Sequence, residues 1–421
     1  MPIQKKATLI IKNISQLITM DGPSPRRGRE MENLGLIENA GMAVAGDEVL
    51  AVGKSEEISG KVDLAEGCQV IDAKNCVVTP GLIDSHTHPV FSMTREKEFE
   101  MRLQGKSYME IAASGGGIRA SVRDLRGTPT ATLMEKTTQR LNRMLSYGTT
   151  TAEAKSGYGL STEAEVKSLE ILRNLNETHP LDLIPTFLGA HEVPDEFRNK
   201  REKYIDLLIG EMIPKVATEK LAEFCDIFCE EGVFSVEESR RILEAARRKG
   251  MKLKLHADEL TSSGGAELAA ELGAISADHL VHVSEEGIKA LAKSGTVAVL
   301  LPGTSFSLNK GQYAPARKMI EAGVAVALST DCNPGSSYTE SLQIIVTLAA
   351  LHLGMSAAEA ISAVTVNAAC AVGRAGLLGT LKPGLQADIV LWNMNDYREM
   401  PYHYGVNLAE KVIKRGKIAV I

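Results

Sequence analysis

The sequence has few aromatic residues, no excess of basic charge and no closely spaced cysteine framework. Phe, Trp and Tyr make up 4% of the 421 residues, so the core must be aliphatic, which favours an α/β protein over an all-β sandwich. The net charge of −6 comes from interspersed acidic and basic residues, which argues against nucleic acid as a partner. The six cysteines are scattered, as is typical of reduced thiols in a reducing compartment. Cys225 and Cys229 lack a second pair for a metal site, so burial in a strand is their better interpretation.

The sequence also lacks a segment that is long and apolar enough to cross a bilayer. Its longest apolar stretch, Leu342 to Met355, is interrupted by Gln343, Thr347 and His352 and is too short to span hydrocarbon, so it predicts a buried helix. The N-terminal residues lead directly into a strand-like run at residues 8–11, without an apolar targeting region. We therefore expect a cytoplasmic protein with no membrane partner.

The middle of the chain repeats one pattern, in which a short aliphatic or β-branched run ends at a polar residue and is followed by a segment with helical spacing. These runs predict eight strands: Val77–Asp84, Thr149–Ala154, Leu183–Leu188, Cys225–Cys229, Lys252–Leu255, Ser276–Val281, Val297–Leu301 and Ala325–Ser329. Eight strands that alternate with helices over roughly 250 to 300 residues are typical of a parallel (β/α)8 barrel. The sequence therefore predicts the α/β class, with a TIM-type barrel as the catalytic domain over residues 79–379.

The two ends of the chain do not fit the barrel pattern. Residues 42–52 and 412–420 each predict a β-hairpin, and residues 387–392 predict a further strand. An isolated hairpin is only marginally stable, so the C-terminal strands need partners. We expect residues 1–78 and 380–421 to combine into one small composite β-sandwich domain beside the barrel.

Two histidines, His86 and His88, follow the first apolar run of the predicted barrel. In a strand, alternate side chains point to the same face, so both imidazoles project together while Thr87 turns aside. Imidazole nitrogen is a ligand suited to zinc, iron, nickel or copper. A bare His-x-His occurs often by chance, so the interpretation depends on whether other ligands arrive from elsewhere.

Polar side chains follow the other predicted strands, and catalytic groups of a parallel barrel come from these carboxyl ends. Six of the nine histidines lie there, which favours metal binding over scattered core histidines. The strand-end residues are His86, His88, Lys155, His191, Glu230, His256, Asp258, Glu259, His279, His282, Thr304 and Asp331. Three imidazoles and one carboxylate, from His86, His88, His256 and Asp331, would make a catalytic metal site with an open position for water. The alternative role for Asp331 is to cap the helix that follows.

The segment after the first strand, from Phe91 to about Thr130, is predicted to be a long loop, and loops of that length tend to be functional. It contains Arg95, whose planar guanidinium matches a carboxylate with two parallel hydrogen bonds. It also contains Gly115-Gly116-Gly117, which is better interpreted as a turn or hinge than as a phosphate cradle, since no strand precedes it.

Several long motifs resemble the amidohydrolase superfamily of metal-dependent hydrolases. The matching segments are residues 79–88, 155–160, 189–191, 256–259, 276–280 and 330–337. The resemblance implies one divalent metal ion, zinc or iron, held by His86, His88, His256 and Asp331. Relatives with two metals carry a bridging lysine at the end of the fourth strand, where this chain has Cys225 to Glu231 without a lysine, so a mononuclear site is expected.

The segments 155–160 and 333–337 narrow the resemblance to members that open a cyclic amide in L-histidine degradation. The implied substrate is 4-imidazolone-5-propanoate, a small molecule with a carboxylate, and the product is N-formimidoyl-L-glutamate. The implied proton-transfer groups are Glu259, His279 and Asp331, with the first base left open. The implied substrate contacts are Arg95, Tyr108, Tyr158, His191, Glu259, Asn333, Gly335 and Ser336. A homodimer is also implied.

Two other functions stay open at this point. Another cyclic amidohydrolase or an aromatic deaminase can use the same ligand set. A barrel that binds metal as a scaffold, without catalysis, would lack ligands or acid–base groups, and none is missing here.

Overall fold

The computed structural model describes residues 5–106, 110 and 115–420 and contains two β-sheets. The strands are β1 (Ala7–Ile18), β2 (Leu36–Ala45), β3 (Glu48–Lys54), β4 (Leu64–Asp72), β5 (Val77–Pro80), β6 (Leu82–Asp84), β7 (Thr149–Lys155), β8 (Asp182–Ala190), β9 (Phe224–Cys229), β10 (Lys252–Ala257), β11 (Ser276–His279), β12 (Val297–Leu300), β13 (Val326–Leu328), β14 (Ile389–Trp392), β15 (Ala409–Lys414) and β16 (Lys417–Val420). The α-helices are Ser55–Lys61, Glu96–Leu103, Ile118–Gly127, Thr130–Ser146, Thr162–Thr178, Arg201–Leu207, Ile213–Thr218, Val236–Arg248, Gly265–Glu271, Glu285–Ser294, Pro302–Ser307, Ala316–Glu321, Leu342–His352, Ala357–Ala363, Val366–Ala371 and Glu399–Tyr402. Short 3-10 helices at Gly28–Glu32 and Asp195–Phe197 and a π-helical turn at Leu208–Met212 complete the helical elements described.

The strands β6 to β13 lie side by side in chain order and pair in parallel, which confirms the predicted (β/α)8 barrel. Among the residues that the structure describes, no strand ladder joins β13 back to β6. The seam is closed just beyond the strand ends, where the amide of Asp331 donates to the carbonyl of His86 at 3.1 Å and the amide of His88 donates to the carbonyl of Cys332 at 2.9 Å. These two backbone bonds bring the first and last strand ends into register.

The first predicted barrel strand, Val77–Asp84, is wrong as one element because it divides at Gly81. Its first half, β5, pairs with β1 and β14 of the second sheet, whereas its second half, β6, pairs with β7 of the barrel. A Cβ atom on Gly81 would lie 2.2 Å from Oγ1 of Thr150, so only glycine fits where the chain crosses between the sheets.

Both termini build the second sheet, as predicted, with the order β16-β15-β14-β5-β1-β2-β3 and β4 also paired to β1. The predicted hairpins are β2–β3 and β15–β16, both antiparallel. Trp392 anchors this sheet at its centre, where its indole Nε1–H donates to Oγ1 of Thr79 at 2.9 Å. Aliphatic side chains such as Leu9, Ile11 and Ile389 form a core of its own on this sheet. The domain boundaries at 78/79 and 379/380 stay a prediction.

The segment from Phe91 to Thr130 is not the continuous loop that was predicted, because it contains the helices Glu96–Leu103 and Ile118–Gly127. The second helix buries Ser121, Val122 and Leu125, which have helical spacing. The helix is short and follows a run of glycines, so this spacing was not recognised in the sequence. The glycine run does form a turn: Gly117 has a φ of 78°, and its amide donates to Oε1 of Glu98 at 2.9 Å.

The apolar stretch that starts at Leu342 forms the predicted helix, Leu342–His352, and most of its apolar side chains are buried. Across the described ranges, no helix has the length and apolar character needed to cross a membrane.

Cys225 and Cys229 are buried in β9, as expected.

Candidate metal centre and active site

The closed seam of the barrel brings His86, His88 and Asp331 together. Nε2 of His86 and Nε2 of His88 are 3.2 Å apart, and each lies 3.5 Å from Oδ1 of Asp331. All three residues are buried, and their ligand atoms are close enough to hold one metal ion. The register set by the backbone bonds of the seam thus places a predicted carboxylate ligand against the His-x-His pair.

His256 and His279 extend this cluster from β10 and β11. The ring centroid of His256 lies 4.5 Å from that of His86 and 5.2 Å from that of His279. His86, His256 and His279 also form a group of three with ligand atoms close enough for a metal. Of the six predicted strand-end histidines, His282 alone points elsewhere and contacts Gln312.

Two histidines of the cluster have buried nitrogen atoms without a hydrogen-bond partner among the described residues. Among the described residues, Nδ1 of His88 and Nε2 of His256 have no partner at all. Nδ1 of His256 has no well-aligned partner either, although Oδ2 of Asp226 lies 3.0 Å away. Buried polar atoms are rarely left unsatisfied, as Nε2 of His256 is here. The Nε2 atoms of His86 and His88 beside Oδ1 of Asp331 have the donor chemistry of a divalent transition-metal site. The residues present therefore fit the metal that was expected.

Burial keeps most of these imidazoles neutral, which is the form that binds metal. Burial lowers the pKa of His86, His88 and His279 well below the usual value, and that of His191 to about 3. His256 differs: burial lowers its pKa, but the neighbouring carboxylate of Asp226 outweighs this and raises it above the usual value.

Asp331 is held in place by its backbone and by one hydroxyl group. Its φ of 52° lies in the left-handed region, which Asp tolerates better than most residues. The hydroxyl of Thr304 donates to Oδ2 at 2.6 Å, which leaves Oδ1 directed at His86 and His88. Burial raises the pKa of the Asp331 carboxyl to about 7. The alternative role as a helix cap is wrong, because Ser341 caps the following helix.

Two buried carboxylates and one lysine lie behind the histidines, and sequence reasoning missed the two carboxylates. Nδ1–H of His86 donates to Oδ2 of Asp278 at 2.6 Å, and Asp226 faces His256. Nζ of Lys155 donates to Asp226 and to Glu153, both at 2.7 Å. Burial lowers the pKa of Lys155, but Asp226 and Glu153 outweigh it and raise that pKa above the usual value, so this lysine is an ammonium ion.

Glu259 and His279 lie on the cavity side of the cluster. Nε2 of His279 is 3.6 Å from Oε2 of Glu259, and burial raises the pKa of the Glu259 carboxyl. The loop after Glu259 is fixed by Glu230, whose Oε2 accepts the amide of Leu260 at 2.8 Å. His279 has a φ of 76°, a strained conformation of the kind that clusters at functional sites.

A cavity of about 670 Å³ opens above the cluster, and it is lined by eleven of the predicted site residues. These are His88, Arg95, Tyr158, His191, His256, Glu259, His279, Asp331, Asn333, Gly335 and Ser336. The rings of His88 and His191 stack with centroids 5.2 Å apart, and Tyr158 lies 5.4 Å from His191. Nδ1 of His191 bonds the carbonyl of Gly157 at 2.9 Å, which fixes this ring against the loop that carries Tyr158.

Arg95 lies across Gly335 at one end of the cavity. A Cβ atom on Gly335 would lie 1.2 Å from Nη2 of Arg95, so the guanidinium occupies the space that any other residue would need. Nη1 of Arg95 is 3.6 Å from Oε2 of Glu98, whereas its buried Nε has no partner among the described residues. Arg102, which sequence reasoning missed, donates to the carbonyl of Gly335 from 3.3 Å. Arg102 follows Arg95 by seven residues, or about two helical turns, so the two side chains lie on the same side of this helical segment. That spacing was the sequence feature that could have identified Arg102.

The loop that carries Asn333 and Ser336 is held by its own hydrogen bonds. Nδ2 of Asn333 donates to the carbonyl of Asp331 at 2.6 Å, and Oδ1 accepts the amides of Gly335 and Ser336, both at 2.8 Å. Asn333 therefore shapes the loop beside the cavity, and its contact with substrate stays a prediction. Tyr108 lies outside the described residues.

Comparison with known sequences gives close relatives along the whole chain. The amidohydrolase family profile matches residues 77–419. The imidazolonepropionase of Alkaliphilus metalliredigens (strain QYMF) is 50% identical over 413 residues, which cover 98% of this chain and 98% of the relative. The imidazolonepropionase of Geobacillus kaustophilus (strain HTA426) is 51% identical over 415 residues, with the same coverage of 98% on both sides.

Comparison with solved structures supports the fold. An adenosine deaminase from Xanthomonas campestris with bound zinc has a TM-score of 0.73 at 17% identity, covering 99% of this chain and 94% of that one. A triazine hydrolase variant also has a TM-score of 0.73, at 18% identity, covering 98% and 94%. From its matched residues and its full-length relatives, the chain belongs to the amidohydrolase family and, within it, to the imidazolonepropionases.

Proposed function

We propose that the chain hydrolyses the cyclic amide of 4-imidazolone-5-propanoate to N-formimidoyl-L-glutamate, in L-histidine degradation. One observation carries the proposal: a single cavity joins a buried group of two histidines and a carboxylate that could hold a metal to a guanidinium seated over Gly335. The first feature suits attack on an amide carbonyl, and the second suits the carboxylate of the propanoate chain. The names of the full-length relatives support the same reaction.

The proposed metal ligands are His86, His88, His256 and Asp331, and the proposed ion is one zinc or iron. Such an ion, when bound, activates water at neutral pH and polarises a carbonyl oxygen. The hydrogen bonding of His86 suits metal binding. His86 has its Nδ1–H committed to Asp278, so its Nε2 keeps a free lone pair.

Glu259 and His279 are the proposed groups for proton transfer. Hydrolysis adds the oxygen of water to the ring carbonyl carbon and breaks the bond to a ring nitrogen, which must gain a proton. Glu259 lines the cavity, and burial raises the pKa of its carboxyl, as suits a group that accepts a proton and returns it. His279, 3.6 Å away, is placed to share that proton. Asp331 is the third candidate, although Thr304 already occupies its Oδ2.

Arg95 is the proposed partner of the substrate carboxylate. Its side chain is 13% exposed, and its Nε is buried and free to donate, as bidentate recognition of a carboxylate requires. Glu98 faces Arg95 from behind and orients the guanidinium. Tyr158 and His191, which line the cavity beside His88, are the proposed contacts for the ring, with Asn333, Gly335 and Ser336 at the polar ends. Tyr108 is a further proposed substrate contact.

The proposal extends to a cytoplasmic homodimer. The dimer rests on the family resemblance, and sedimentation of the purified chain tests it. The cytoplasmic location is supported by the cysteines, all six of which are free thiols.

A substrate panel tests the reaction. The chain is purified without chelator, its zinc and iron content is measured, and turnover of 4-imidazolone-5-propanoate is followed by loss of ring absorbance. Hydantoins, dihydropyrimidines and guanine serve as comparison substrates for the other members of the family. We expect turnover of the first compound alone. Turnover of a comparison substrate without turnover of the imidazolone would contradict the proposal.

A further inference from the structure

The interior of the barrel beneath the histidine cluster is filled by charged side chains. Glu153, Lys155, Asp226, Lys254 and Asp278 are all buried. Barrel interiors are ordinarily packed with branched aliphatic residues, and buried ions are costly unless each charge has a well-placed partner. An ionic layer at this position therefore calls for a role beyond packing.

Asp278 links His86 to this layer through one oxygen atom. Oδ2 of Asp278 accepts the Nδ1–H of His86 at 2.6 Å, and the same Oδ2 lies 3.7 Å from Nζ of Lys155. Its other oxygen, Oδ1, has no partner among the described residues. The ammonium of Lys155 is thus in ion-pair contact with the carboxylate behind His86, on which the charge of Lys254 also acts.

Asp226 links His256 to the same lysine in the same way. Oδ2 of Asp226 lies 3.0 Å from Nδ1 of His256 and accepts a hydrogen bond from Nζ of Lys155 at 2.7 Å. The amide of Ile227 donates to Oδ1 at 2.7 Å and fixes the carboxylate from its other side. One ammonium group therefore faces both carboxylates that lie behind two of the proposed ligands.

We propose that Lys155 is a positioning residue for the metal centre. Its ammonium holds Asp226 and Asp278 so that His256 and His86 keep their protons on Nδ1 and direct Nε2 at the metal. Carboxylates that orient ligand histidines affect metal affinity strongly, and here a single side chain controls two of them. The inference rests on the proposed metal site and assigns a role to a residue that touches neither substrate nor ligand.

Lys254 provides a matched control, because it is a second buried lysine in the same layer. Its Nζ donates to the carbonyls of Ser85 and Ala371, at 3.1 and 3.2 Å, and its ion contact within the described residues is with Glu153 at 3.8 Å. Among the described residues it forms no ion pair with Asp226 or Asp278, although its charge acts on the Asp278 carboxylate through space. Lys254→Met and Lys155→Met therefore remove the same buried charge, but only Lys155→Met removes the hydrogen bond to Asp226 behind His256.

The test measures binding of Co²⁺ alone to the full-length chain, by competition with a chelator of known affinity. We expect Lys155→Met to weaken binding by about 10- to 100-fold. Lys254→Met should cause a much smaller loss, even if both variants lower the melting temperature to the same extent. Nitrogen-15 spectra of the metal-free protein provide a second measurement, since Lys155→Met should redistribute the ring protons of His86 and His256, and Lys254→Met should not redistribute that of His256.

Each outcome decides one point. Equal weakening in both lysine variants, or unchanged cobalt affinity and ring protonation in Lys155→Met, overturns the positioning role. If Lys155→Met does not fold, Asp226→Asn replaces it, and unchanged affinity in that isosteric variant overturns the role instead. An unsubstituted chain that binds no cobalt overturns the proposed metal site itself, so the two failures are distinguishable.

Discussion

Replacing Gly335 with alanine should weaken substrate binding without unfolding the protein. The added Cβ would lie 1.2 Å from Nη2, 2.2 Å from Cζ and 2.8 Å from Nε of Arg95, so the guanidinium must leave its position. The backbone of Gly335 is not in the left-handed region, so alanine introduces no backbone strain. The substitution therefore acts on Arg95 through space alone.

The magnitude follows from the contact that is lost. A hydrogen bond to a charged group contributes about 1.5–3 kcal/mol, which corresponds to roughly 10- to 150-fold in kcat/KM. Stability should hold or rise, because glycine to alanine at a compatible position stabilises by about 0.4–1 kcal/mol. The clash is with the far end of a flexible side chain, which can swing away at little cost.

Steady-state kinetics and chemical denaturation measure the two effects separately. Gly210→Ala is the control, because a Cβ atom there meets nothing within 4 Å and the residue does not line the cavity. Arg95→Ala sets the upper limit, and the double variant Gly335→Ala with Arg95→Ala should be no worse than Arg95→Ala. Additive losses in the double variant, or an unchanged KM in Gly335→Ala, would refute the reasoning.

Four further outcomes follow from the geometry. Asp331→Ala should remove nearly all turnover together with the bound metal, and retention of one metal per chain would contradict its role as a ligand. Glu259→Gln should lower kcat by about 10²- to 10⁴-fold while metal content stays unchanged, and a loss confined to KM would exclude it from proton transfer. Dialysis against a chelator should lower the melting temperature, and added zinc should restore it, since a ligand that binds the native state alone stabilises it; an unchanged melting temperature would argue against the site. Gly81→Ala should destabilise the chain by about 1–3 kcal/mol in denaturant titration, because Oγ1 and Cγ2 of the buried Thr150 would lie 2.2 and 2.5 Å from the new Cβ. Thr150→Ala should restore part of that loss, and no rescue would place the strain elsewhere.

The barrel was predictable from the sequence because its signal is repeated. Each of the eight strands leaves the same local pattern, so an error in one does not change the count. The first strand shows the limit of this reasoning. Val77–Asp84 is one apolar run in the sequence, yet it serves two sheets, since the crossing at Gly81 depends on Thr150, which lies far away in the chain.

The gathering of the proposed metal ligands was predictable for a related reason. His86, His88 and Asp331 follow barrel strands and His256 lies near the end of β10, and a parallel barrel gathers the ends of its strands on one face. Arg102 was not predictable in the same way. Its contact with the carbonyl of Gly335 depends on a helix, Glu96–Leu103, in a segment that was expected to be a loop.

The charged layer beneath the proposed ligands is visible in the sequence as an alternation of charged and apolar residues, but that alternation suggests a solvent-exposed face and not a buried one. Glu153 and Lys155 alternate with alanine, and Lys254 and His256 alternate with leucine, a pattern that usually indicates a strand with one face in solvent. In a parallel barrel both faces of every strand are covered, so the charged side chains on alternate positions of these strands are buried and point into the barrel. Once the barrel is recognised, the same alternation predicts an ionic interior, because each of these charges then needs a partner from a neighbouring strand. Asp226 and Asp278, on β9 and β11, are those partners for Lys155. The residues behind a metal site can therefore be found from sequence only after the fold has been assigned.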